Sequence, residues 1–273
     1  MKQFTNLVKV SSATIAILAV NAVFADESAA LNPKSNSEWL CNWSEKNNIV
    51  LTAVEAENAL ACKDNTIMIS KSAITVDPEK SYQISGSFKL APDSKPAKFY
   101  LGIMPLNYKG QQISSESVGA IADTDTELVA DCNADDTVIK IKNGDKWQCG
   151  PGSMIAFNTD DSGKKADLPN TELSGREIVK VEKNGGAFDV TLKNKSGKKY
   201  ASGTKVREHR AGNTFIYGVI NEYVPADWKE FSAVLQGNCW PGICMAKIVI
   251  LANIGGKPDQ VMLIKDIKLE KVK

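Results

Sequence analysis

The chain has 273 residues, with 33 basic residues against 32 acidic and a single histidine. That balance argues against nucleic acid or an anionic membrane surface as partner, because both recruit proteins through clustered excess positive charge. With only His209 and no C-x-x-C pair, the six cysteines do not read as a metal site either.

In chain order, MKQFTNLVKVSSATIAILAVNAVFADES places Lys2 and Lys9 before a mostly apolar run, then Val23-Phe24-Ala25. This is the pattern of a secretory signal peptide, residues 1–25, cut after Ala25. Ser11, Ser12, Thr14 and Asn21 dilute the run, which is short for a span of about 20 apolar residues, so no membrane insertion is expected after cleavage. Without Lys2 and Lys9 the remainder carries 31 basic residues against 32 acidic. An even cysteine number in an oxidising compartment makes disulfides the default, and proximity favours Cys41–Cys62, Cys132–Cys149 and Cys239–Cys244. Residues 26–36 read as a polar, mobile lead-in.

From Trp39 onward the signal has period two. SYQISGSFKL puts Tyr82, Ile84, Gly86, Phe88 and Leu90 on one face, as a half-buried strand does. KFYLGIMPL is apolar on both faces and predicts a central strand, followed by the turn NYKG. Further strands are expected at 137–142, 153–157, 176–183, 187–193, 204–209, 214–220, 230–235, 246–253 and 261–269, separated by turns such as NGD, PGS, NGG and RAGN. Only VEAENALAC, residues 54–62, has helical character. The fold class is all-β: a jelly-roll β-sandwich of residues 37–122 and 213–273, interrupted by a small β-rich insertion, residues 123–212, rich in Asp, Lys and Gly.

YQISGSFKL with KFYLGIMPLNYKGQQI, and later VPADWKEFSAVL, AKIVILAN and VMLIKDIKL, resemble the galactose-binding-like jelly-roll domains that include many carbohydrate-binding modules. Within the insertion, DDTVIKIKNGDKWQCGPGSMIAF and KYASGTKVREH are similar to a small β-module found in some secreted proteins. The resemblance implies a sandwich that binds a polysaccharide or glycan. Asn107 and Lys265 stand where such modules often carry aspartate, which weighs against a structural calcium site.

Sugars are bound by a ring laid under their apolar face with polar groups at the rim. Candidate ligand-binding residues are therefore Trp240, in the short loop GNCWPGIC, with Trp43, Tyr108 and Tyr217. Trp240 has two readings, a cap on the core or a ring displayed at the sandwich edge. Trp228 reads as a plug at the end of the sandwich, and Trp147 as part of the insertion's core. His209, between Arg207, Glu208 and Arg210, reads as structural on a solvated strand edge, and the run holding Asp160, Asp161 and Asp167 as a solvated loop. No G-x-S-x-G, H-E-x-x-H or P-loop motif is present. No carboxylate pair can be nominated for glycoside hydrolysis either. The expectation is a secreted or periplasmic, non-catalytic glycan-binding protein without cofactor. The alternative is a structural or adhesive surface protein that self-associates or docks on an envelope partner.

Overall fold

The computed structural model describes residues 31–43, 51–175, 177–254 and 259–272. The signal-peptide stretch and the first part of the lead-in lie outside these residues. Strands β1 (Trp39–Cys41), β2 (Leu51–Val54), β3 (Ala59–Lys63), β4 (Thr66–Ser70), β5 (Ile74–Thr75), β6 (Ser81–Leu90) and β7 (Lys98–Leu106) precede a one-turn helix, α1 (Ser115–Val118). Next come β8 (Thr126–Glu127), β9 (Val138–Ile141), β10 (Ser153–Phe157), β11 (Ile178–Asn184), β12 (Ala187–Leu192) and β13 (Lys205–Arg210). The order ends with β14 (Ile216–Tyr223), β15 (Lys229–Gln236), β16 (Met245–Ile254) and β17 (Val261–Lys271).

Two antiparallel sheets form the sandwich. One runs β15-β6-β17-β3-β2; the other runs β1-β4-β16-β7-β14, with β5 beside β16. From β3 to β7 the main strands alternate between the sheets, β14 stays beside β7, and β15, β16 and β17 alternate again. The result is β15-β6-β17-β3 facing β14-β7-β16-β4, the double Greek key of a jelly roll. Sequence alternation produces this: on β6, Tyr82, Ile84 and Phe88 turn inward while Gln83, Ser87 and Lys89 stay outside the core.

The sheets are joined by an aromatic contact. Phe88 of β6 stacks on Phe99 of β7 with centroids 4.0 Å apart, and Phe231 of β15 meets both rings edge-on at 6.0 and 5.1 Å. Around it pack Trp39, Leu101, Ile250, Met262 and Ile264, all buried. Leu31, read as part of a mobile lead-in, instead pairs its backbone with Leu269 of β17.

Strands β8 to β13 lie between β7 and β14 and form two small sheets, β10-β13-β8 and β11-β12-β9. Their own core holds Leu128, Ile141, Trp147, Ile155, Phe157 and Val206. VEAENALAC is not helical beyond a single 3-10 turn at Glu55–Glu57. Asn58 is left-handed (φ 48°), and Ala59–Lys63 pairs with both β2 and β17. Cross-strand hydrogen bonding outweighs the helix preference of the alanines.

The expected disulfides are not formed: none of the six cysteines is in an S–S bond. Cys62, Cys132 and Cys244 each direct Sγ at a nearby backbone carbonyl, and Cys149 is exposed where its expected partner, Cys132, is buried. Cys41 and Cys62 serve instead as small apolar side chains of the sandwich core.

Phe88→Ala removes the ring that links the sheets and is expected to cost about 3–5 kcal/mol in urea denaturation. A loss under about 1 kcal/mol would show that the stack does not hold the sheets together.

Candidate functional site

Opposed residues in a sheet share a face, so the register across the six-stranded sheet defines its outer surface. One row runs Leu40, Ile69, Val249, Gly102 and Tyr217. The next holds Ile67, Leu251 and Tyr100. Outward-facing Ile69, Met104, Leu106, Phe215 and Val249 form a cluster separate from the inter-sheet core, with Leu40, Tyr217 and Met245 packed at its margin. This outer face is therefore apolar, unlike that of the other sheet, which carries Gln83, Ser85, Lys89 and Lys265.

Four aromatic rings continue one into the next over this surface. Tyr100 and Tyr217 meet edge to face at 4.9 Å across the β7–β14 pair. Tyr217 meets Phe215 at 6.1 Å, and Phe215 stacks with Trp43 at 6.2 Å and 23° between planes. Trp43 sits just past β1, at the far side of the sheet from β14. The Asn42 side chain accepts from the Ile67 amide, and the Asn42 amide donates to the Ile67 carbonyl, fixing the turn that carries Trp43. Trp43 is in left-handed backbone (φ 61°) and remains 55% exposed after stacking on Phe215. Gly102 opens the centre: a Cβ there would stand 2.1 Å from the Ile216 carbonyl oxygen, so only glycine allows β14 to come this close. Burial, and then neighbouring Tyr100, push the Tyr217 phenol up to about 12. Both tyrosines carry a hydroxyl on a flat apolar ring, a combination suited to polar, ring-shaped ligands.

Of the candidate residues, the structure brings Trp43 and Tyr217 together and leaves Tyr108 and Trp240 outside the group. Tyr108 is 75% exposed on a turn closed by Asn107, which accepts from the Lys109 and Gln111 amides; Lys109 lies over its ring at 5.4 Å. Trp240 is half-buried against the sandwich core, and its Nε1 is buried with no hydrogen-bond partner. Its loop is hemmed in as well, for a Cβ on Gly242 would lie 2.7 Å from Pro169. Trp240 is a cap on the core rather than a displayed ring. Tyr100 and Phe215 were not anticipated. Their signal was the alternation of Lys98, Tyr100, Gly102 and Met104 on one side of KFYLGIMPL, and of Phe215 and Tyr217 in TFIYGVI.

Trp228 is not a plug. It lies on the polar face of the other sheet, donating to Glu57 at 3.1 Å with Lys265 over its ring at 4.1 Å. His209 is not on a solvated edge: Arg207, Glu208 and His209 are all fully buried in β13. The Arg207 guanidinium reaches Asp167 at 2.7 Å and Asp125 at 3.2 Å. His209 Nδ1 lies 2.7 Å from the Glu116 carbonyl, which makes it the protonated nitrogen, and Nε2 accepts from Arg207. Asp167 is accordingly ordered rather than solvated. Burial works to raise its pKa, but hydrogen bonds from Asn170 and Asp160, with the Arg207 charge, hold it below the usual range. This cluster ties the inserted strands to α1 through the His209–Glu116 contact. Among the described residues, no group of three or more His, Cys, Asp or Glu side chains is placed to hold a metal ion.

No protein-family model matches the chain, and no curated protein matches it in sequence. Among solved structures it is similar to the xylan-binding CBM22-1 domain of Paenibacillus barcinonensis Xyn10C, at 8% identity. The alignment covers 91% of this chain and 98% of that one with a TM-score of 0.35, a likeness too slight to bear on function.

Burial, followed by the Arg207 charge, pushes His209 down to about 4, so the fold prefers the neutral ring. The stability this gives is complete above the unfolded value near 6.5 and is lost as pH falls through 4. Glu208, raised by burial, works in the opposite direction, so the comparison must isolate His209. Between pH 7 and pH 4 the wild type should lose about 2–3 kcal/mol more than His209→Gln, read by denaturation at each pH. Equal losses would show that His209 is not buried as a neutral ring.

Proposed function

We propose that this protein binds carbohydrate, non-catalytically, on the outer face of the six-stranded sheet. The observation that carries the reading is the continuous run Trp43, Phe215, Tyr217 and Tyr100, with Trp43 exposed at one end and two phenol hydroxyls at the other. A pyranose presents one apolar face and a polar edge, and this surface offers matching partners for each. The rings are held by packing before a ligand arrives, which limits the entropy lost on binding. A strand-built site of this length suits a polysaccharide chain better than a single sugar. With the sequence signature of export, the setting is the periplasm or the extracellular space.

A second reading, self-association or docking on an envelope partner, is favoured by a different observation. Ile220, Tyr223 and Val234 are about 60% exposed on β14 and β15, which lie at the free edges of their sheets.

Pull-down on soluble and insoluble glycans separates the two. Trp43→Ala is expected to weaken binding to the retained glycan by at least about fivefold, with a stability change under about 1 kcal/mol because the ring is largely exposed. Unchanged binding by Trp43→Ala, or no retained glycan together with a dimer in sedimentation, would remove the carbohydrate reading and leave the docking one.

A further inference from the structure

We infer that the glycan taken by this face is anionic, an inference that rests on the carbohydrate reading above. Two half-buried lysines register on the same outward surface as the aromatic run. Lys98 stands opposite Tyr223, with Nζ 4.6 Å from the ring centroid, one outward position along β7 from Tyr100. Lys247 stands opposite Met104, and Phe215 is the next residue across on the β14 side. Six residues of β7 separate the two rows, roughly 20 Å of strand, with Lys98 next to Tyr100 at one end of the run and Lys247 in the row of Phe215.

On the three inner strands of this sheet the outward charge has one sign. Outward positions on β4, β7 and β16 are Ile67 and Ile69; Lys98, Tyr100, Gly102, Met104 and Leu106; and Met245, Lys247, Val249 and Leu251. None is acidic, in a chain whose charges otherwise balance. Some lysines of the inserted strands sit against carboxylates instead: Lys142 and Lys205 share Glu127 at 2.9 Å each, and Lys193 reaches Glu177. Among the described residues, no carboxylate lies within ion-pair distance of Lys98 or Lys247. An ammonium whose stem lies on an apolar surface gains most from an anion brought to it there, because the neighbouring rings displace competing water. A polysaccharide bearing carboxylates or sulfates supplies that anion while its ring faces cover the aromatic side chains. A neutral polymer covers the rings and leaves both lysines unmatched.

The test uses the full chain and matched polymers in titration calorimetry: polygalacturonate against its methyl-esterified form, and dextran sulfate against dextran. One charged polymer is expected to bind at least about tenfold more tightly than its neutral partner at about 50 mM salt. That margin should collapse near 500 mM, where screening is short-ranged. The pair that shows the margin identifies the anionic group as carboxylate or sulfate. Lys98→Gln/Lys247→Gln, which keeps the side-chain stems, should lose about fivefold toward the charged polymer and nothing toward the neutral one. Trp43→Ala should weaken both. Equal affinity for charged and neutral polymers overturns the anionic assignment and leaves carbohydrate binding standing. Binding to none of the four, or tighter binding to a single-stranded oligonucleotide used as a charge control, overturns both.

Discussion

Val249 and Ile250, consecutive residues of β16, are both completely buried, one on each face of the same sheet. Successive side chains of a strand point to opposite faces, so this sheet needs apolar cover on both sides. The facing sheet covers one side through the Phe88–Phe99 contact. On the other side Phe215 and Tyr217, from the β14 side, pack in one cluster with Val249 and Ile69, and Trp43, from the β1 side, stacks on Phe215. Rings used in this way protect the strands beneath while leaving some of their own surface in water. That double duty makes the outer face a candidate for binding flat apolar ligands.

Gly102 shows how closely the cover depends on backbone geometry. It interrupts the outward row at its middle and lets β14 approach, which places Tyr217 against Tyr100. The inserted strands belong to a different kind of construction. Their core is separate, and their link to α1 runs through a buried ionic and hydrogen-bonded group in which Arg207 satisfies Asp125, Asp167 and His209 together. Burying such charges is costly unless every partner is present, so the group defines one arrangement more than it adds stability.

The long strands were legible in the sequence because their alternation is regular: β6, β7, β16 and β17 all lie within a few residues of where period two places them. The short strands β1, β2, β4 and β5 were not, whereas the equally short β9 and β10 were, because the turns NGD and PGS mark their ends. VEAENALAC misled because alanine and glutamate favour a helix locally, whereas pairing with β17 decides the outcome. For the site, Trp43 and Tyr217 were recognisable as aromatic candidates one at a time. Their proximity was not, because it arises from strand order: Trp43 and Tyr217 are far apart in sequence and belong to opposite margins of one sheet. Trp240 drew attention through its flanking cysteines, yet its loop turns inward. Arg207, Glu208 and His209 look like a solvated strand edge by composition and are buried because β13 lies between β10 and β8 with α1 against it.

Of the five tryptophans, Trp43 is the one on the proposed binding face, and their indole N–H resonances can be told apart by substitution. Titration of the 15N-labelled protein with an oligosaccharide of the polymer it retains should shift the Trp43 indole signal strongly and leave those of Trp39, Trp147, Trp228 and Trp240 in place. A shift confined to Trp240 or Trp228, with Trp43 unmoved, would contradict the assignment of the binding face.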